Sequence, residues 1–423
     1  MKSKEGFFFK LILIIKKFYR IQKKLFFLFN CIIAIIILST LLILFNKKKI
    51  RFAKLRRDVI GNSTSEFFLY LNKKKYENEF SDYFYFDDNF ICNKHLNNIL
   101  KKNSSFFYFA KHCEFIAKNI KFFERYHLKM PTHWTKKNQL FNVNNYKVPN
   151  EFLFSDHQKS EGISFLDSIG YKDNKKIVTL VVRDNFYKDT LKQNKSWKYH
   201  EYRNALLASY DKSIKYLISQ GYFVIKIGKG SNQELEINEK NYFDYSRSTL
   251  NSDFLDFWII SRSYFTITTG TGIDEVCAIY KVPILDTNFF PPGVIRSSQN
   301  FCLTIFKKII NKQNKLPLTL SQMLEYDKEN KDIFKTFSYF QMKEFHDKFL
   351  LIDNTAEEIL EAVKEMHKKL NNILIEKDPS IERQKKFWKL YRSTGLYDEH
   401  IKSKHINSSI GQKYIIENEW LIV

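Results

Sequence analysis

Leu25 to Phe45 reads LFFLFNCIIAIIILSTLLILF, 21 residues without a charge, among which only Asn30, Ser39 and Thr40 are mildly polar. A helix of about 20 apolar residues crosses a ~30 Å hydrocarbon layer. The run therefore predicts either a single membrane span or a membrane-embedded helix with both ends at the cytosolic headgroups. A cleavable leader fits poorly, because the charged lead is long and no small-x-small site follows. Eight Lys/Arg precede the run, from Lys2 to Lys24, and seven follow it, from Lys47 to Arg57. Flanks so equal give the positive-inside rule nothing to choose between.

The same count locates the charge. The chain has 423 residues and a formal net charge of +23, yet residues 1–57 hold 15 Lys/Arg and a single acid, Glu5. The other residues carry 54 basic and 45 acidic side chains. A nucleic-acid binder places its basic footprint on a folded face with interleaved aromatics. Here the excess brackets an apolar helix, which points to lipid headgroups and away from nucleic acid. Five scattered cysteines without a Cys-x-x-Cys spacing indicate neither a disulfide framework nor a zinc site.

From Lys175 the pattern changes to alternating strands and helices. Ile177–Val182 is a continuous β-branched run, the mark of a parallel strand buried on both faces. A helix over Tyr202–Gln220 stops at Gly221, and strands follow at Tyr222–Ile227, Tyr264–Thr268 and Val282–Asp286. Helices are expected at Asp253–Ser261 and Ile273–Tyr280 between them. Such alternation predicts a doubly wound α/β domain over 172–325. Thr355-Ala-Glu-Glu358 is a capping box that opens an amphipathic helix with Ile359, Val363, Met366 and Leu370 on one face. Upstream, Gly61–Glu66 reads as a strand-to-helix turn capped by Thr64 or Ser65, and Asp82–Phe86 as a strand.

Ligands of such sheets sit outside the carboxyl ends of the strands, so the loops there are the candidate site. Arg183-Asp184 ends the first strand, and a fixed guanidinium there suits phosphate or carboxylate. Lys226 and Gly228 end the second, supplying charge and a close backbone approach. Thr269-Gly270-Thr271-Gly272 ends the third and opens a helix whose N–H groups and dipole favour an anion, with Glu275 placed for a sugar hydroxyl. Asp253 opens a helix and is a further donor-binding candidate, with N-capping its bland explanation. His200, on the segment after the first strand, is a candidate base. The turn at 269–272 lacks the third glycine of the dinucleotide fingerprint and the Gly-Lys-Ser/Thr of a P-loop, so no cofactor is implied. With no Asp-x-Asp in the chain, a metal-held diphosphate is not expected either.

The series Val182-Arg183-Asp184, Tyr187, Tyr202-Arg203-Asn204, Gly221 to Gly228, Ser252 to Asp256 and Thr269 to Glu275 resembles a family of bacterial glycosyltransferases from surface-polysaccharide gene clusters. Its members commonly begin with a hydrophobic segment and a basic strand-like stretch, which Ile50–Leu55 and Ile60-Gly61 match. The Arg183 position is also similar to the phosphate-contacting arginine of fucosyltransferase-like proteins. Lys226 stands where Arg is expected, and Asn62 where His is usual. The resemblance implies a GT-B-like fold: a membrane anchor at 1–49, an acceptor-side Rossmann-like domain at 50–171, a donor domain at 172–325 and a helical region at 326–423 packing across the domains. It implies transfer from a nucleotide-sugar donor to a lipid-linked or surface glycan acceptor, metal-independent, at the cytosolic face of the inner membrane. A nucleotide-sugar epimerase and a non-catalytic membrane assembly partner are the rival readings.

Overall fold

The computed structural model describes residues 2–45, 49–87, 90–131, 147–172, 174–191, 198–292, 295, 301–329, 343–373, 378–393 and 408–423. The chain divides into two compact units, Met1–Thr132 and His133–Val423. The border thus falls at 132, before α5 (Asp156–Ser168), where the sequence suggested 171.

In the first unit the apolar run, up to its last residue but one, lies inside α1 (Lys2–Leu44). Strands and helices then alternate: β1 (Lys49–Leu55), α2 (Ile60–Lys74), β2 (Phe80–Phe86), α3 (Lys94–Lys102), β3 (Ser105–Phe106) and α4 (Ala110–Asn119). The strands are parallel in the order β1-β2-β3, and a parallel bridge joins Phe52 of β1 to His127. The basic stretch after the apolar run is β1 itself, and β2 answers its charges. Arg51 is the register partner of Asp82 and binds it through Nε at 2.8 Å and Nη2 at 3.2 Å. Glu77, Lys74 and the Tyr70 hydroxyl complete this buried network at 2.6, 2.9 and 3.1 Å. Lys49 pairs with Glu79 and Lys54 with Asp87. Gly61–Glu66 is helical rather than a turn: α2 already begins at Ile60 behind Val59, and the Ser63 hydroxyl donates back to the Val59 carbonyl at 2.7 Å.

The second unit is built on one seven-stranded sheet, every pair of which is parallel. Its members are β4 (Ile177–Val181), β5 (Phe223–Lys226), β6 (Tyr242–Asp244), β7 (Ser263–Thr268), β8 (Ile284–Phe289), β9 (Cys302–Phe306) and β12 (Ser408–Ile410). The spatial order is β12-β9-β8-β7-β4-β5-β6. The chain steps outward from β4 through β5 and β6, returns past β4 to β7, and steps the other way. This is the strand order of a doubly wound dinucleotide-type fold. β4, β5 and β8 are buried along their whole length, as expected of a sheet covered on both faces.

Among the helices are α6 (Phe186–Leu191), α7 (Asp211–Ser219), α8 (Asp253–Arg262), α9 (Asp274–Tyr280) and α10 (Leu320–Glu329), with β10 (Lys308–Asn311) and β11 (Phe349–Ile352) forming a small antiparallel pair. The long helix expected at 202–220 is only its last half, α7, which ends before Gly221 at φ +84. Residues 204–207 leave the helical path because their backbone serves elsewhere: Ala205 N–H donates to the Arg183 carbonyl at 3.1 Å and Leu207 N–H to Gln233 Oε1 at 2.6 Å. The capping box forms as read, with Thr355 and Glu358 exchanging both hydrogen bonds at the start of the Ala356–Leu370 helix. Ile359, Val363 and Met366 of that helix are buried in the core against the sheet. The region after 326 is therefore part of the second unit, and it supplies the edge strand β12.

Candidate functional site

The strand order reverses between β4 and β7, and that switch point is where the carboxyl ends of the strands leave a crevice. Two candidate loops meet there. Arg183 N–H donates to the Thr269 hydroxyl at 3.1 Å, and Thr269 N–H returns to the Val181 carbonyl at 3.3 Å. The Glu201–Asn204 segment closes a third side. Asn204 Nδ2 donates to Asn185 Oδ1 at 2.9 Å, Asn185 Nδ2 to Glu201 Oε1 at 3.2 Å, and Arg203 Nη2 to the Gly270 carbonyl. Behind them Lys307, only 3% exposed, donates to the Asn204 carbonyl at 2.6 Å and to Asp353 at 2.5 Å. Burial pushes the Lys307 ammonium below its usual range, and Asp353 opposes that.

The 269–272 turn is held from below by Asp274, which is fully buried. Its carboxylate accepts from Thr268 Oγ1 at 2.8 Å, Thr271 N–H at 2.6 Å and Thr271 Oγ1 at 3.1 Å. Gly270 takes φ +72, which a side chain disfavours. The sequence reading offered the turn's amides to an anion; the Thr271 amide is already taken by Asp274. Gly272 and the half-buried Glu275 in the first turn of α9 stay at the rim.

At the second strand the geometry departs from expectation. Lys226 is 2% exposed and faces inward, with Nζ 3.1 Å from Asp244 Oδ2 and 2.6 Å from Ser246 Oγ. Burial pulls its pKa down, while Asp244 holds it up. Its charge is paired inside the fold, joining β5 to β6. Asp184 likewise acts as a tie: Oδ1 accepts from Phe186 N–H at 3.0 Å, and Oδ2 from Ser231 Oγ at 2.7 Å and Asn232 N–H at 2.9 Å. Gly228 approaches Ser246 closely, and its carbonyl accepts from Asn251 Nδ2 at 2.8 Å.

Asp253 does not cap α8; Ser252 does, through Leu255 N–H at 3.2 Å. Asp253 instead pairs with Lys229. His200 lies on the single turn Lys198–Arg203, and its side chain is outside the described ones. Among the described residues no group of three or more His, Cys, Asp or Glu is placed to hold a metal ion.

Sequence reasoning assigned no role to Asp274, Asp244 or Lys307. Asp274 was visible only as the acid closing Thr-Gly-Thr-Gly-Ile-Asp. Asp244 and Lys307 carried no local signal, because their partners are distant in sequence.

No family model matches the chain, and no curated protein matches it. Among solved structures, the ADP-heptose LPS heptosyltransferase II of E. coli aligns with 70% of this chain and 99% of its own, at 11% identity and a TM-score of 0.34. A likeness at that level carries no argument about function.

Proposed function

We propose that the chain is a membrane-associated glycosyltransferase of the GT-B kind, which moves a sugar from a nucleotide donor to a lipid-linked or surface glycan acceptor. One observation carries the reading: the Arg183 and Thr269 loops join at the switch point of a nucleotide-type sheet, with a positive-φ glycine between them and the rim. Two parallel-stranded α/β units in one chain fit the same architecture. The sequence resemblance points to the same chemistry.

In this proposal the Arg183 side chain and the Gly270–Gly272 turn hold the donor diphosphate, and Glu275 orients a donor hydroxyl. Stabilising the departing diphosphate then supplies most of the rate acceleration, without a metal. Asp184 ties the Ser231–Asn232 loop to the strand end that carries Arg183, and His200 is the proton acceptor for the incoming hydroxyl.

A thermal-shift screen of the full chain against nucleotide sugars tests it. One donor is expected to raise the melting temperature, and Arg183→Ala and Gly272→Asp are expected to abolish that rise while melting normally without donor. Variants that keep the rise, and keep sugar transfer, would refute the site. His200→Ala is expected to lower kcat and leave the donor-induced rise intact.

A further inference from the structure

α1 is not an isolated rod. Cys31, Ala34 and Leu38 are buried, with Phe27, Ile37 and Leu41 partly so, in one cluster with Ala110, Cys113, Ile116 and Ala117 of α4 and Phe52 of β1. That spacing is one helical stripe. The remaining circumference is apolar and open: Phe26, Phe29, Ile32 and Ile36 are each about 60% exposed. The open surface does not stop at the helix. Phe27 lies edge-on to the exposed Phe115 at 5.2 Å, and rings run from Phe27 through His112 and Phe109 to the exposed Tyr108. A continuous apolar patch of this kind on a folded unit marks an interaction surface.

Two further facts identify what covers it. From Gly6 to Arg57 there is no acidic side chain, and Lys17, Arg20, Lys23 and Lys24 stand exposed just ahead of the apolar run. The cations after the run are different, since Lys49, Arg51 and Lys54 pair with Glu79, Asp82 and Asp87 within the fold. Among the described residues, the exposed Lys17–Lys24 cluster ahead of the run is thus the larger positive field facing lipid. The packed stretch 27–41 is about 21 Å long at 1.5 Å per residue, most of a ~30 Å hydrocarbon layer. A crossing helix would carry α4 into that layer, with Lys111, Glu114 and Lys118, which hydrocarbon does not tolerate.

We propose that α1 lies in the plane of the membrane, within one leaflet of an anionic bilayer. Its inner stripe stays on α4, its outer face and the α4 aromatics sit among acyl chains, and the Lys17–Lys24 cluster rests on acidic headgroups. The inference rests on reading α1 as the membrane segment of the proposed enzyme, and not on sugar transfer.

The test uses the full chain with Ser3→Cys, reconstituted into sealed phosphatidylglycerol–phosphatidylcholine vesicles. The five native cysteines are buried, so an impermeant maleimide reports position 3. In-plane binding predicts that the fraction labelled at position 3 equals the fraction whose second unit is cleaved by external trypsin. A crossing helix makes the two fractions complementary, which would overturn the proposal. Ile32→Glu with Ile36→Glu is expected to cut vesicle partition by at least about tenfold with unchanged melting. If the pair instead dissociates a dimer and leaves partition alone, the face belongs to a second copy, and the proposal fails. Transfer to a detergent-soluble acceptor is expected to survive the pair; its absence from the unsubstituted chain would sink the transferase reading alone.

Discussion

Replacing Asp274 with alanine probes whether the 269–272 turn is held by the carboxylate beneath it. The carboxylate accepts three hydrogen bonds, from Thr268 Oγ1, Thr271 N–H and Thr271 Oγ1. Hydrogen bonds to a charged group contribute about 1.5–3 kcal/mol each. The two threonine hydroxyls already lie 3.4 Å apart and can turn to one another, so one of the three losses is largely recovered. Two remain, or about 3–6 kcal/mol, less the relief of no longer burying a carboxylate. A net loss of about 3 kcal/mol is expected for Asp274→Ala in urea denaturation at neutral pH, with the m-value unchanged. Asp274→Asn keeps one acceptor and the shape, and is expected to lose about 1–2 kcal/mol. Donor-induced stabilisation should fall in the same order, because Thr269 and Gly270 are fixed by the same turn. If Asp274→Ala unfolds within 0.5 kcal/mol of the unsubstituted chain, a threshold set by ordinary surface substitutions, the carboxylate is not what holds the loop.

Other substitutions separate scaffold from ligand contact. Lys226→Met leaves Asp244 beside a lost partner and is expected to destabilise by about 2 kcal/mol, whereas Lys226→Met with Asp244→Asn should recover most of that; a donor shift that vanishes in the double variant would restore Lys226 as a ligand. Gly230 has φ +83, and a β-carbon there would run into the Phe186 ring. Gly230→Ala should therefore lose about 2 kcal/mol or more, and Phe186→Ala should relieve only the overlap and not the backbone strain; equal melting of Gly230→Ala and the parent would refute the reading. Burial raises the Glu66 carboxyl from 4.5 to about 7. A folded pKa above the unfolded one means the folded state holds the proton more tightly, so this group's stabilisation is complete below pH 4.5 and is lost as pH rises through 7. Glu66→Gln is expected to match the parent near pH 4.5 and to exceed it by about 3 kcal/mol at pH 8; a difference that does not grow with pH would count against a buried, unassisted carboxyl.

The parts of this fold that a linear reading reached are those whose cause is local. β4 was readable because a strand buried on both faces needs an unbroken β-branched run, and the 356–370 helix because Thr355 and Glu358 are one turn apart. The loops of the site were readable for a related reason, since strand ends and glycines mark them. What the sequence hid is long-range. Lys226 looks like a ligand until Asp244, 18 residues on, is found across the neighbouring strand. Arg51 belongs to a basic flank until Asp82, 31 residues away, faces it in register. The division between the two units falls at 132, and nothing local in the sequence says which sheet α5 joins.

The edge strand has a bearing on how the chain is made. Ser408–Ile410 pairs with Cys302–Thr304, Gly411 N–H reaches the Thr304 carbonyl, and the buried Tyr414 hydroxyl caps the Phe306 carbonyl. Until those residues leave the ribosome, β9 presents an open row of backbone donors and acceptors, a template for pairing with a neighbouring nascent chain. Sheet completion is therefore a late event of synthesis rather than an early one. A stop codon between the end of β9 and residue 408 would leave that edge uncovered and open to pairing with other chains.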